Sequence, residues 1–522
     1  MISNYTYNKY KKATVCLVTS CLLLSACDLA PKYKPVQFAL PDSWQGTKPF
    51  FPANPADEIP KGTWWTVFND PVLNQLEEQL NQNNPDLQAA AETFMQSRAI
   101  LSEVKSQLYP QLNLQAGGGK YKQSENRLFR SSTSNGPITE TNTEYQGAAL
   151  WEIDLWGRIR NQIKMQRSLA QVSAADYQSA KLSLQADLAR HYMILRGYDA
   201  QNEVLKESIQ YYEAAVDVTR MRQMGAIAAG IDVSRAENQL EMTKAQQTEV
   251  QAQRDITEHA IAILVNKVPM GFHIAPIKSN EAMRVPKVPL GIPSSLLQRR
   301  PDIASAERQM AAANRAIGVS KAAFYPDITI NAVGGFQDKG FGLANMPNSM
   351  WSAAVQATLP LFQGGLRRAT LQRSWSQYRQ TEDNYRSVVL NAFKEVADNL
   401  TLTQRMTTKL QQNKEAVNAA LRTQSMAMSL YTGGLTNYLD VVTAQNAALT
   451  ARIAEVETKT SLMQASVGLI RALGGGWDIK ELPAKNLESV GVFQYQNLRN
   501  AHQFPGYEQK EQSSSYNLKN DE

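Results

Sequence analysis

The segment YPQLNLQAGGG at residues 109–119 returns as YPDITINAVGG at residues 325–335, 216 positions further along the chain. Upstream of these segments, Asn84-Pro85-Asp86 matches Arg300-Pro301-Asp302 at the same offset of 216. A fixed offset over this length is the signature of an internal duplication, in which each copy carries the same elements in the same order. Whatever fold the first copy adopts, the second is therefore expected to repeat it.

Apolar and polar residues alternate after the Tyr-Pro pair in both copies. Leu112-Asn113-Leu114 in the first copy corresponds to Ile328-Thr329-Ile330 in the second. A period of two residues is typical of a β-strand with one apolar and one polar face. A soluble sheet with one buried face would produce the same alternation. The pattern recurs once more in each copy, so we predict strands at about residues 111–120, 143–156, 327–337 and 351–363.

Two long stretches lack the residues that interrupt helices. Residues 158–224 contain one glycine and no proline, and residues 366–432 contain neither. A continuous helix of this length would run about 100 Å, far more than the core of a globular domain requires. A Gly-containing turn and a second helix follow in each copy, at about residues 232–265 and 440–473. Each repeat therefore predicts a helix, a β-hairpin, a very long helix, a turn and a helix of coiled-coil-like composition.

Four strands in an open sheet would be unstable if their apolar face entered lipid. An open sheet would leave backbone N–H and C=O groups unpaired at both edges, in hydrocarbon. The chain is therefore expected to close a β-barrel with further copies of itself. Polar strand residues would then line a water-filled lumen, as in a pore. These pore-lining candidates are Glu152, Asp154, Gln356 and Thr358.

The chain begins with a segment typical of exported lipoproteins. A basic stretch at residues 9–12 precedes an apolar run that ends in Leu24-Ser25-Ala26-Cys27, the order of a secretory signal. The last four residues resemble the bacterial lipobox, which implies cleavage before Cys27 and attachment of a diacylglycerol and an N-acyl chain to it. An ordinary signal peptide with an incidental cysteine is the alternative. Asp28 is a departure, because an aspartate at that position is associated in enteric bacteria with retention at the inner membrane.

Charge and composition exclude several function classes. The formal net charge is +6 at pH 7, and removal of residues 1–26, with three lysines and no acidic residue, leaves +3. Such a balance gives no support to nucleic-acid binding. The four histidines are not spaced as metal ligands, and the chain carries no recognisable catalytic constellation. We expect neither a cofactor, apart from the covalent lipid, nor enzymatic activity.

Five motifs in a fixed order resemble those of TolC-like outer membrane factors, in the lipoprotein branch that serves RND-type efflux systems. Together they extend over nearly the whole chain after residue 26. They are Trp64-Trp65 with Phe68, Asp70 and Pro71; Glu152-Ile153-Asp154-Leu155-Trp156-Gly157-Arg158; GIPSSLLQRRPDIASAE at residues 291–307; Ala313-Asn314 with Ile317-Gly318; and Ala472-Leu473-Gly474-Gly475-Gly476-Trp477.

The resemblance implies a mixed fold, a membrane β-barrel joined to an all-α barrel. Three copies in a homotrimer would each contribute four strands to a 12-stranded outer-membrane barrel, continued by a helical tunnel in the periplasm. The expected function is the outer-membrane channel of a tripartite efflux pump, which passively conducts drugs or other toxic small molecules to the exterior. The expected partners are a periplasmic adaptor, an inner-membrane pump and outer-membrane lipid.

The resemblance also assigns a periplasmic gate to the Gly-containing turns. Asp232 and Asp440 match aspartates that face the narrowing tunnel, where threefold symmetry would make each a ring of carboxylates. Such rings attract cations and are repulsive unless compensated. Alternatively, both are N-caps or first-turn acids, and the two roles can coexist. Tyr431 matches a gate tyrosine, whereas the nearby position that is basic in some relatives is Thr436, so we expect a hydrogen-bonded latch rather than a salt bridge.

These observations predict how the chain is divided. In chain order it comprises a signal peptide, a lipidated extended segment, a first efflux-channel repeat, a linker, a second repeat and a tail that ends in disorder. Their bounds are 1–26, 27–62, 63–270, 271–290, 291–477 and 478–522. A periplasmic adaptor lipoprotein without a pore is the alternative function, but adaptors carry one helical hairpin, whereas this chain predicts two in tandem.

Overall fold

The computed structural model describes residues 28–34, 36, 38, 62–122, 124, 139–277, 285–286, 296–340, 345–477 and 480. The predicted signal peptide, Cys27 and all but one residue of the predicted tail lie outside the described residues. None of the helices within those ranges combines the length and apolarity that a membrane-spanning helix needs.

The described elements follow the same order in both halves of the chain. A 3-10 helix at Trp64–Phe68 and α1 (Pro71–Asn83) come first. The first repeat continues with α2 (Pro85–Ser106), β1 (Gln111–Lys122), β2 (Thr139–Glu152), α3 (Arg158–Met224) and α4 (Gly230–Leu264). The second contains α5 (Leu296–Arg299), α6 (Pro301–Ala322), β3 (Asp327–Asp338), a 3-10 turn (Met346–Asn348), β4 (Ser349–Thr358), α7 (Leu366–Thr432) and α8 (Tyr438–Ala472).

Local sequence explains where the helices begin. Pro85 and Pro301 open α2 and α6, because the first turn of a helix does not need the N–H that proline lacks. Gly157 and Gly365 precede α3 and α7 with left-handed backbone, at φ 72° and 87°, where a side chain would be strained. α3 and α7 are each 67 residues long. The two long helices predicted from the sequence are therefore confirmed.

The four strands form one antiparallel sheet in the order β1-β2-β3-β4. The register pairs Leu112 with Ala149, Ala149 with Ala332, and Ala332 with Ala353. Directly paired residues of antiparallel strands point to the same side of the sheet. Leu112, Leu114, Ile330, Trp351 and Val355 of the two repeats therefore lie on one face, and most of the polar residues lie on the other, together with Leu150 and Val333.

Neither face of the sheet is buried by the residues that the structure describes. On the apolar face, Leu114 is 87% exposed and Trp351 is 82% exposed. On the polar face, Glu152 is paired with Thr329, which is paired in turn with Gln356. The sheet thus differs from that of a soluble protein, which would cover its apolar face with its own core.

Two strands end before the sequence predicted, β2 at Glu152 and β4 at Thr358. Beyond β2, the Asp154 carboxylate accepts hydrogen bonds from the backbone N–H groups of Ile159 and Arg160, at 3.1 and 2.8 Å. It also accepts one from the Arg160 side chain at 3.1 Å. The first N–H groups of a helix lack partners within the helix and attract a carboxylate. The prediction that Asp154 is a strand residue is therefore wrong.

The long helix α3 holds the two repeats together. It packs against α2 and α4 of its own repeat and against α6 and α8 of the other, while α7 packs against α6 and α8. One apolar core, which includes Trp64 and Leu195, lies near the middle of α3. A second core, which includes Tyr212 and Tyr438, extends towards the far ends of the helices. The sheet and the helical tips thus lie at opposite ends of the long helices.

Candidate functional site at the helical tips and the sheet

The ends of the two long helices contact each other. Residues 225–229 link α3 to α4, and residues 433–437 link α7 to α8. Arg222, in the last turn of α3, donates from Nη1 to the Thr432 carbonyl oxygen at 2.7 Å. Its guanidinium also lies over the Tyr431 ring, 4.8 Å from the ring centroid. The Arg222 side chain therefore joins the helical tips, the ends of the long helices farthest from the sheet, of the two repeats.

Tyr431 and Asp232 meet between the repeats. The Tyr431 hydroxyl donates to Asp232 Oδ2 at 3.4 Å, and an Arg235 Nη1 lies 3.8 Å from Asp232 Oδ1. The Tyr431 ring is buried and packs edge-on against Tyr438, with ring centroids 5.0 Å apart. Burial raises the pKa of Tyr431, and the negative charge of Asp232 adds to this effect. The hydroxyl therefore remains protonated, and able to donate, throughout the neutral pH range.

Asp440 has a different set of partners. Its backbone N–H donates to Asn437 Oδ1 at 3.2 Å, which makes Asn437 the N-cap of α8. The Thr436 hydroxyl donates to the Asp440 carboxylate. Asp232 occupies the same place in α4, whose N-cap is Ala229. Both aspartates are thus first-turn acids rather than N-caps, at the helix end where the dipole favours a negative charge.

The four predicted gate residues form two pairs, Tyr431 with Asp232 and Thr436 with Asp440. The residue that sequence reasoning missed is Arg222. At the offset of 208 that relates these turns, its counterpart is the apolar Leu430. A cation that replaces an apolar residue in one of two matched copies was the signal that could have identified it.

The predicted pore-lining residues differ in their surroundings. Gln356 and Thr358 are exposed on β4, with 3.4 Å between Gln356 Nε2 and the Thr358 hydroxyl. Glu152, the last residue of β2, accepts two hydrogen bonds from Arg158, at 2.9 and 2.5 Å. The Asp154 side chain is 7% exposed, since it is held against the start of α3. Arginines at the junction of sheet and helix therefore neutralise the two carboxylates. The two residues of β4 are uncharged and exposed.

Comparison with known proteins assigns the family. A family model described as outer membrane efflux protein matches residues 76–267 and 292–475. The probable efflux pump outer membrane protein TtgC of Pseudomonas putida is 28% identical over 468 residues, 89% of this chain and 96% of the relative. The cation efflux system protein CusC of Escherichia coli is 26% identical over 460 residues, 87% of this chain and 97% of the relative.

Solved channel structures share the fold. The outer-membrane channel OprN superposes with a TM-score of 0.80 at 26% identity, over 86% of this chain and 100% of that chain. The Campylobacter jejuni CmeC outer membrane channel, at 21% identity, has a TM-score of 0.78 over 91% of this chain and 98% of that chain, and it supports the fold alone. These comparisons give no support to the adaptor alternative. The chain belongs to the family of outer membrane efflux proteins, the channels through which solutes leave across the outer membrane.

Proposed function

We propose that this outer membrane efflux protein acts as a homotrimer, which passively conducts solutes from a periplasmic adaptor and an inner-membrane pump to the exterior. The sheet carries the proposal. Its apolar and polar faces continue in register across both repeats, and within the described residues β1 and β4 each pair on one side only. Lipid requires those edges to be paired. Three four-stranded sheets joined edge to edge would close a 12-stranded barrel, a size within the range of bacterial outer-membrane barrels.

The proposed path for solute runs along the polar face and then between the long helices. Gln356 and Thr358 would face water inside the barrel, together with the polar residues paired to them. The 67 residues of α3 and of α7 would continue this path for about 100 Å into the periplasm. The chain supplies the conduit and the pump supplies the energy.

Single-channel recording tests the proposal. Protein purified from outer membranes should insert into planar bilayers in uniform conductance steps, and chemical cross-linking of the same sample should yield a trimer. Heat-denatured protein serves as the control. A folded sample that never produces steps would contradict the channel, and steps from a sample without trimers would contradict the stoichiometry.

We place the gate at the helical tips, where Asp232 and Asp440 would each form a ring of three carboxylates about the tunnel axis. The double variant Asp232→Ala with Asp440→Ala should increase conductance and antibiotic leakage, because it removes the acceptors of both hydrogen-bonded pairs. Glu237→Ala is the matched control, since Glu237 is an exposed carboxylate of α4 that pairs with Arg220. Unchanged conductance in a well-folded double variant would remove the aspartates from the gate.

The solutes we propose are drugs and other toxic small molecules. Relatives similar over most of their length are named for antibiotic, toluene and cation efflux. Proteins named for such different solutes share this fold, which supports a channel that does not itself select the solute. Exchange of the partner pump should therefore change the set of exported compounds, while substitution of Gln356 or Thr358 should leave that set unchanged.

We also propose that Cys27 carries the lipid anchor. Cys27→Ser should abolish incorporation of radioactive palmitate, because the thiol is the site of diacylglycerol attachment. Cys16→Ser and Cys21→Ser, within the predicted signal peptide, are the matched controls and should retain the label. Persistent labelling of the Cys27→Ser protein would refute the anchor.

A further inference from the structure

A carboxyl group is buried where α1 packs against α3. Glu77 of α1 is 0% exposed. It lies on the face of the helix that faces the apolar core, together with Leu73, Leu76 and Leu80. A charged carboxylate is among the most costly groups to remove from water. An acid at a position where the helix otherwise places leucine therefore needs a physical explanation.

The Glu77 carboxyl group also lacks a hydrogen-bond partner. Within the described part of the chain, neither of its oxygens has a donor, and the buried Oδ1 of Asn74 lacks one as well. Residues three apart are neighbours on the surface of a helix. Carboxylate and amide oxygens only accept hydrogen bonds, whereas a protonated carboxyl group has an O–H to donate. One proton on Glu77 would therefore supply the donor that these oxygens lack.

Polar residues on either side of Glu77 do find partners on α3. Asn81 Oδ1 accepts a hydrogen bond from Gln185 Nε2 at 2.7 Å. Asp70 Oδ2 accepts one from the Tyr192 hydroxyl at 2.6 Å. α1 is thus tied to α3 near both of its ends, and Glu77 lies in the apolar stretch between these two contacts.

No cation among the described residues forms an ion pair with Glu77. On α1 itself, Asp70 caps the helix start and Glu78 is exposed. On α3, the Arg196 guanidinium donates to the Tyr192 hydroxyl, and the 3-10 helix that packs on α1 has no titratable side chain. Burial alone raises the pKa of the Glu77 carboxyl group well above its usual value. The remaining titratable residues on this stretch of α3, on the sides turned away from α1, are Asp187, Arg190 and His191.

We propose that Glu77 is a neutral carboxylic acid in the native protein, and that α1 separates from α3 when this acid loses its proton. Once α1 has separated, water reaches Glu77, whose pKa returns to the ordinary value of about 4.3. Above that pH, and as far as the raised pKa of the native state, each separation of α1 releases one proton. The stability that protonated Glu77 gives to this contact is therefore complete in acid and is lost as the pH rises through that window.

Hydrogen exchange in the native, detergent-purified protein tests this proposal. The exchange rates of the backbone amides of α1 are measured at several pH values above about 5 and divided by the intrinsic, base-catalysed rate at each pH. In wild type, the protection of α1 should fall roughly tenfold per pH unit, because one proton is released each time the helix separates. Protection that is independent of pH in wild type would overturn the proposal.

Three variants assign the pH dependence to one residue. Glu77→Gln removes the titrating group but keeps a donor for Asn74, so the protection of α1 should no longer depend on pH. Glu77→Met, with an apolar side chain of similar size, should have the same effect and replaces the glutamine variant if that protein does not fold. Glu78→Gln is the matched control on the exposed side of α1 and should keep the wild-type dependence. A wild-type dependence in either Glu77 variant would overturn the proposal.

Infrared difference spectroscopy detects the proton directly. At neutral pH, the spectrum of Glu77→Gln should lack the carbonyl stretch of one protonated carboxyl group that is present in wild type. Loss of carboxylate bands instead would overturn the proposal, because it would show that a bound cation or water compensates an ionised Glu77. Neither measurement requires the protein to conduct, so its outcome is independent of the proposed channel function.

Discussion

Arg222 shows how much one residue at the tips can contribute. Its guanidinium donates to the Thr432 carbonyl oxygen at 2.7 Å and lies over the Tyr431 ring. The carbonyl groups that end a helix lack partners within it and carry the negative end of its dipole, so a cation there is favourable. This contact joins the first repeat to the second beside the proposed gate, and its loss should favour separation of the tips.

Arg222→Gln should therefore make the channel leakier. Loss of the cation–π contact costs about 1 kcal/mol, which corresponds to roughly a fivefold rise in the open population. Single-channel open probability in planar bilayers measures the effect. Arg220→Gln is the matched control, since Arg220 pairs with Glu237 of α4 within the same repeat. If both variants behave like wild type, Arg222 has no part in closing the tips.

At the scale of elements, a buried ion network ties α3 to α4 and to the chain after them. Asp199 of α3 accepts hydrogen bonds from Arg196 at 2.9 Å and from Arg254 of α4 at 2.7 Å. The same two arginines donate to the carbonyl oxygens of Ala275 and Ile274, at 2.7 and 2.5 Å. Residues 274 and 275, at the start of the segment between the repeats, are therefore fixed by buried charged side chains.

Asp199→Ala should destabilise the protein by about 3–5 kcal/mol, because the buried Arg196 guanidinium loses its carboxylate partner and that of Arg254 keeps Glu258 alone. Asp187→Ala should cost less than about 1 kcal/mol, since Asp187 pairs with Arg190 on the exposed side of the same helix. Urea denaturation of the two variants in detergent, followed by circular dichroism, measures the difference. A similar loss in both would mean that the buried network contributes no more than a surface pair.

The helices and strands could be predicted from the sequence more completely than the contacts between them. The duplication and the lack of helix-breaking residues predicted α3 and α7 to the residue. This was possible because Gly157 and Gly365, directly before the two helices, mark where they begin. The end of β2 was predicted too late, since alternation continues through Asp154 while the carboxylate is drawn to the start of α3. Arg222 was missed because its partner lies 210 residues away, a pairing that periodicity does not encode.

For the whole molecule, the two faces of the sheet should respond differently to charge. Leu114→Arg, on the apolar face of β1, should cost about 2–4 kcal/mol if that face meets the middle of the bilayer. Gln115→Arg adds the same charge one residue away on the polar face and should be tolerated, because that face meets water. The yield of trimers in the outer membrane measures both. Equal yields would show that the apolar face does not contact lipid.

The long helices α3 and α7 have the same length of 67 residues, and their return helices α4 and α8 have 35 residues each. The tips of the two repeats lie at the same distance from the sheet only while these lengths agree. Deletion of seven residues from α3 alone would shorten it by about 10 Å and carry Arg222 out of reach of Thr432. An insertion or deletion in α3 should therefore be accompanied by one of equal length in α7. Related channels with a longer tunnel should have the same added length in both repeats.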